Sequence, residues 1–493
     1  MKPSAVLFEL IKSLTSSEKR YFKMYASLQK GNKNYIDLFN AIDSMQIFDE
    51  KILQKIYGRE RSAKNLTFTK NYLYKLIFKS LNSYKEERSV DSKLTNILNR
   101  CRILFDKSLI RQYFKTLESG KQLALKYERF SYLIEFLEIE RQLIKKKDIP
   151  GKNFSNVYNE ENKVIDILKK VNEHKRAVNM LFNLLRVEGI IRSKTQDEKI
   201  SNILLRLVPS SNEKSIPVIV KETYYFANYI ACSLRGDFNS AYGFIKKRFE
   251  LISRNKEIFR DTLFDNLKDS FLMKITAASE AGKFRESFGL FSEFVKLYGR
   301  SEVQKLNIIF SRAEIHLNHA IHTKHAGELN DHISGLEKDL LNYRNKITIA
   351  VHNSLYFKLA KFYFVTGNHN EALKIINELY KSRHLKYSPH LEIYVRMLNI
   401  LVHFELENYK LLKYVIPATV KYMKSKDKYY RTESSVINCI KLIAVKKEKT
   451  FAAKKLSILH KELMSLKKIR YEKNAFIYID YIDWINKKLS SLN

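Results

Sequence analysis

A chain of 493 residues with only 13 Gly and 6 Pro is too poor in turn formers for a β-rich architecture, because tight turns need a positive or a fixed φ. Its formal net charge of +36 attracts polyanions and repels cations, so nucleic acid, an acidic protein or an anionic membrane surface are the admissible partners. The three cysteines, Cys101, Cys232 and Cys439, form no CxxC pair, which gives no support to a zinc knuckle or a redox pair and fits a reduced, cytoplasmic setting.

The opening "MKPSAVLFELIKSL" carries one lysine and a short apolar stretch broken by Glu9, and it predicts no signal peptide. No apolar run approaches the ~20 residues of a membrane span. Thr15 and Glu18 have capping-box spacing, so a helix is expected from about Ser17. On it Tyr21, Tyr25 and Leu28 share one face, with Phe22 and Ala26 beside it, and most of these aromatics are expected to pack inward. Lys19, Arg20 and Lys23 are expected to face out. Three further helical segments follow, "NYIDLFNAIDSM", "DEKILQKIYG" and "LTFTKNYLYKLIFKSLNSYK", the last with Leu66, Leu73, Leu76, Ile77 and Leu81 at helical spacing. Residues 1–88 therefore read as a basic helical module. If it is helix-turn-helix-like, its last helix offers Lys70, Lys75 and Lys79 to a nucleic-acid groove.

From residue 89 to 493 helix follows helix. "KKKDIPGKN" and "LVPSSNEKSIPV" read as loops, and "SIPVIV" fits either a short strand or a helix beginning near Pro217. In "YFKLAKFYFVTGNHNEALKIINELY", the residues Tyr356, Leu359, Ala360, Tyr363, Gly367, Ala372, Leu373 and Ile376 occupy the apolar slots of a tetratricopeptide repeat. "YFANYIACSLRGDFNSAYGFIKKRF" repeats the pattern with Tyr225, Gly236, Phe238 and Ala241. A third copy has Phe271, Gly282, Phe284 and Phe291, and "MLNILVHFELENYKLLKYVI" is a looser fourth. The turn glycines are 46 and 85 residues apart, wider than the usual period of about 34, so the repeats are degenerate. The expected fold is all-α: an N-terminal helical module followed by a right-handed TPR-like α-solenoid over 89–493, with a basic C-terminal part at 421–470.

The first helix, "LIKSLTSSEKRYFKMYAS", resembles a phrase found in a group of tetratricopeptide-like helical proteins of Bacteroidetes bacteria of about this length. The resemblance is sharpest over residues 9–30. It implies a helical-repeat fold and no site residues.

Little points to catalysis. "HLNHAIHTKH" places His316, His319, His322 and His325 three residues apart, but each step turns a helix by about 300°, so the four imidazoles cannot converge on one ion. No P-loop, GxGxxG, GxSxG or DxD-type cluster is present, and no cofactor is expected.

Charge is more informative. Residues 421–470 carry +11 and residues 51–80 carry +7, whereas residues 261–340 carry −2. AT-rich codon usage enriches Lys throughout a chain, and uniform drift does not predict this concentration. Lys421, Lys424, Lys428 and Arg431 fit one helical face, and Lys446, Lys447, Lys454 and Lys455 extend the stripe. Such a stripe matches phosphates along a backbone. The expected function is a non-catalytic scaffold for an anionic partner, RNA or a ribosomal surface being favoured. The alternatives are an adaptor that takes a peptide or helix in its groove and a DNA-binding regulator acting through residues 1–88.

Overall fold

A computed structural model describes residues 3–29, 34–50, 63–86, 89–146, 153–207, 216–299, 304–324, 329–343, 346, 348–382 and 385–492. Every regular element among them is helical. The chain divides into two compact units, residues 1–164 and 165–493.

In the first unit, Pro3–Ser13, Ser16–Ser27, Asn34–Ser44 and Ala63–Glu86 share one core built from Leu7, Ile11, Phe22, Leu38, Ile42 and Ile77. The segment "DEKILQKIYG" lies mostly in 51–62, outside the described residues. Thr15 caps the second helix through the expected box: its side chain accepts from the Glu18 N–H, and the Glu18 carboxylate accepts from the Thr15 N–H at 2.8 Å. The inward face of that helix differs from the expected one. Phe22 and Ala26 are fully buried, while Leu28 ends the helix and is 76% exposed. Tyr21 lies between, packed on Tyr84 at 4.9 Å and hydrogen-bonded to Ser83. Val90–Asp106, Ile110–Lys126 and Phe130–Lys146 follow, each packed on the next. Lys121 is buried between them and is held by Glu140 at 2.7 Å and Glu160 at 2.8 Å.

The second unit runs as helix pairs. Val218–Leu234 packs on Phe238–Arg254, Leu263–Glu280 on Phe284–Tyr298, Ile349–Val365 on His369–Lys381, and Pro389–Glu405 on Tyr409–Ser425. These helix pairs lie where the four repeat copies were expected. Pro217 stands immediately before its helix, so "SIPVIV" is a helix start: a missing N–H costs nothing where the first turn has no acceptor to give. The small residues sit where the helices meet, with Ala360 and Ala372 fully buried.

The turn within each pair is three residues long and has one geometry. Its middle residue is left-handed: Gly236 at φ 72°, Gly282 at 74°, Gly367 at 81° and Glu407 at 56°. The next N–H then reaches back five residues, as in Asn368 to the Tyr363 carbonyl at 2.8 Å and Asn408 to the His403 carbonyl at 2.9 Å. This bond satisfies a helix-terminal carbonyl that would otherwise lack a donor. Ser108 and Glu128 make the same turn in the first unit. The glycine pattern therefore marks only some of the turns, because the hydrogen bonding holds even a Glu in the left-handed region.

The C-terminal segment does not simply extend the row. After Lys449–Leu466 the chain passes through Ala475–Tyr478 and Tyr481–Leu492, and it contacts residues 186–197, nearly 300 positions earlier. The Ile190 N–H donates to the Tyr478 hydroxyl at 3.0 Å, and the Asn474 amide donates to the Ile191 carbonyl at 2.8 Å. Gly189 makes this approach possible, since a Cβ there would overlap the His390 ring and the Tyr478 hydroxyl.

The turn geometry gives a paired prediction. Gly367 faces open space, so Gly367→Ala pays only for left-handed backbone, about 1–2 kcal/mol. Glu407→Gly relieves the same strain and should raise stability by up to ~1 kcal/mol. Urea unfolding of the two variants checks both signs.

Candidate functional site

Helices of the second unit line a cavity of about 1180 Å³. Its wall comes from Phe154–Glu188 beyond residue 165, Val218–Leu234, Leu263–Glu280, Lys305–Thr323, Ile349–Val365 and Pro389–Glu405, with Phe476–Tyr478 as a further side. Aromatic and aliphatic groups make up much of it, but charged groups also converge there. Lys358 is paired with Glu314, and Lys324 with Asp483. Lys361 donates to the Ile477 carbonyl at 3.0 Å, and burial lowers its ammonium to about 8, helped by Lys358. Glu280, at the end of its helix, makes no hydrogen bond or ion pair among the described residues. Burial pushes its carboxyl up to about 7 against the pull of Lys358, and Glu314 adds to the rise.

The wall is held by a buried charge cluster. Arg192 gives all five of its N–H donors: Nε to the Tyr471 carbonyl, Nη1 to Tyr394 and Glu433, and Nη2 to Glu433 and Glu472. Glu472 also accepts from the Arg431 and Thr432 N–H groups and from the Thr432 hydroxyl, which caps Arg431–Lys446. Tyr394 stacks on Tyr478 at 3.7 Å. Asp197 beside it accepts from Arg235 and Arg470.

The second candidate is the outer face of the C-terminal helices. Between residues 409 and 470, fifteen Lys or Arg side chains are exposed against two exposed acidic ones, Asp427 and Glu448. Lys421, Lys424, Lys446, Lys447 and Lys454 belong to it, and Lys455 is half-buried. None of these six forms an ion pair with a described carboxylate. Lys424 lies over Tyr429, Lys447 over Tyr409, and Lys446 and Lys455 over Phe451.

The stripe expected at 421–431 needs correction. Tyr409–Ser425 ends at Ser425, Asp427 is left-handed at φ 52°, and a new helix starts at Arg431, so the four residues do not share a helical face. Lys428 turns inward. It is 9% exposed, pairs with Glu188 at 2.9 Å and donates to the Val187 carbonyl at 3.2 Å. Arg431 stays exposed. In the N-terminal module Lys75 and Lys79 are exposed, but Lys70 is buried and pairs with Glu50 at 2.9 Å. Lys428 and Lys70 are thus neutralised within the protein, because a buried ammonium without a carboxylate is too costly to keep.

The histidine run packs on aromatic rings. His316 lies on Phe288 at 5.1 Å, and His319 and His322 lie on Phe284 at 4.9 and 5.2 Å, while His325 is outside the described residues. Among the described residues no group of three or more His, Cys, Asp or Glu is placed to hold a metal ion, and no helix is long and apolar enough to cross a membrane. No protein-family model matches the chain, and no curated protein matches it significantly.

Sequence reasoning missed Arg192, Glu433 and Glu472. They are 39–280 positions apart, and no local spacing connects them. The inward turn of Lys428 is directly testable. Lys428→Ala removes the cation from Glu188, leaving it the Gln196 amide, and should cost roughly 1.5–3 kcal/mol, whereas Lys424→Ala on the surface should stay within ~0.5 kcal/mol. Chemical denaturation of the two variants measures the difference.

Proposed function

We propose that the protein is a non-catalytic helical-repeat scaffold that binds an anionic partner through its C-terminal outer face, with RNA or a ribosomal surface as the favoured partner. The observation that carries this reading is the fifteen exposed cations against two exposed acids over residues 409–470. Mutual repulsion among such charges disfavours the free protein, and a phosphate backbone offsets it while releasing its own counterions. The helix pairs, read as a right-handed tetratricopeptide-like array, hold the lysine-bearing helices in fixed register. The first-helix resemblance to Bacteroidetes repeat proteins belongs to the same reading, as does a cytoplasmic setting.

The second reading is an adaptor that takes a peptide in the central cavity, and the 1180 Å³ of lined space favours it. DNA binding through residues 1–88 is weaker, because one of its three proposed lysines, Lys70, is buried against Glu50.

A single-stranded RNA oligonucleotide tests the leading reading. Changing Lys421, Lys424, Lys446 and Lys454 to Glu should flatten the slope of log affinity against log salt by about 2–3 units, at about 0.7 per lost phosphate contact. Lys428 is left alone, because its replacement would disturb the fold. An unchanged slope would reduce the lysines to a solvated face and leave the cavity as the binding surface.

A further inference from the structure

Glu280 is the feature of the cavity that the fold does not explain. It is the last residue of Leu263–Glu280, where the helix dipole already disfavours negative charge. The lining lysines are engaged: Lys358 by Glu314, Lys324 by Asp483, and Lys361 by the Ile477 carbonyl. The groups that act on Glu280 are Lys358 and Glu314, and it in turn acts on the Tyr229 and Tyr478 hydroxyls. In the free protein this carboxylate gains no partner for its desolvation.

We propose that the cavity binds an extended peptide segment of a partner protein and seats a basic group of that segment, a Lys, Arg or amino terminus, on Glu280. The inference rests on the adaptor reading and names the chemistry of its ligand. Three observations carry it. First, about 1180 Å³ exceeds the 300–1,000 Å³ of typical small-molecule sites, so a chain segment is the fitting occupant. Second, the wall already holds one stretch of main chain. Lys361 donates to the Ile477 carbonyl at 3.0 Å, two residues before the extended Ile479 at φ −137° and ψ 124°. The same kind of side-chain bonding is on offer opposite. Asn179 and Asn183 line the cavity from one helix and Asn318 from another; the Asn183 amide N–H groups and the Asn318 amide oxygen remain to a peptide backbone beside their bonds to Arg186 and Ser279. Third, charge complementarity selects a basic group. A cation on Glu280 offsets the half-buried carboxylate, whereas an acidic group there would add a second one. Arg186, whose guanidinium bonds only Asn183 at 3.0 Å among the described residues, suits a carbonyl or carboxylate elsewhere on the same segment. The outer face repels cationic segments, so a basic peptide that binds has the cavity as its favourable site.

The test is selection of a displayed library of random short peptides on the full-length wild-type protein. Selected peptides should share a Lys or Arg at one position, and their affinity should fall at least about tenfold for Glu280→Gln, the loss of one charge-assisted contact. The same peptides should bind the variant with Lys421 and Lys424 changed to Glu as they bind wild type. Circular dichroism and the melting temperature confirm that Glu280→Gln is folded, and Asn318→Ala supplies a second, uncharged change in the wall that should also weaken binding. Selected peptides that bind Glu280→Gln unchanged but lose affinity with Asn318→Ala would overturn the role of Glu280 and leave the adaptor reading intact. Failure to enrich any peptide would overturn both.

Discussion

The guanidinium of Arg192 is the contact on which the second unit depends. It is buried together with the Glu433 carboxylate, at 3% and 0% side-chain exposure. Removing such charges from water costs several kcal/mol per ion, and only complete pairing offsets it. Here pairing is complete: five donors meet carboxylate, phenol and carbonyl oxygens drawn from residues 394, 433, 471 and 472. The cluster ties the end of the long helix to the C-terminal helices. Without it, Glu433 would be a lone buried charge, and the cap that Glu472 gives to Arg431–Lys446 would lose its support.

A row of helix pairs with nearest-neighbour contacts alone has no such tie. The return of residues 471–480 to 186–197 supplies it and gives the cavity a definite wall. The Tyr394–Tyr478 stack, the Lys361–Ile477 bond and the close approach at Gly189 all lie around that return. The packed side of the C-terminal helices is therefore committed to closure. Lys421, Lys424, Lys446, Lys447 and Lys454 on these helices are left exposed.

Much of the fold was legible in the sequence because it is local. The Thr15–Glu18 box, Pro217 before its helix and the three turn glycines all act within a few residues, and each has a geometric reason to be where it is. Periodicity also located the four helix pairs. It failed where a neighbour in space decides the outcome. Glu407 occupies a left-handed turn with no glycine to announce it. Lys428 was read onto a helical face that ends three residues earlier, and its inward course is set by Glu188, 240 positions away. Glu280 carries no motif at all, and its position follows only from the assembly of the inner helices around it.

The closure is tested most directly by hydrogen–deuterium exchange on wild type and Arg192→Met. Methionine keeps much of the volume and leaves Glu433 without its partner, a change that should cost roughly 3–5 kcal/mol. If Arg192 holds the C-terminal segment to the 186–197 stretch, amides in 186–197, 431–446 and 472–480 lose protection together. Those in the Leu263–Glu280 and Phe284–Tyr298 pair, which the cluster does not touch, keep theirs. Faster exchange confined to the residues beside 192, with 431–446 and 472–480 as protected as in wild type, would contradict the account.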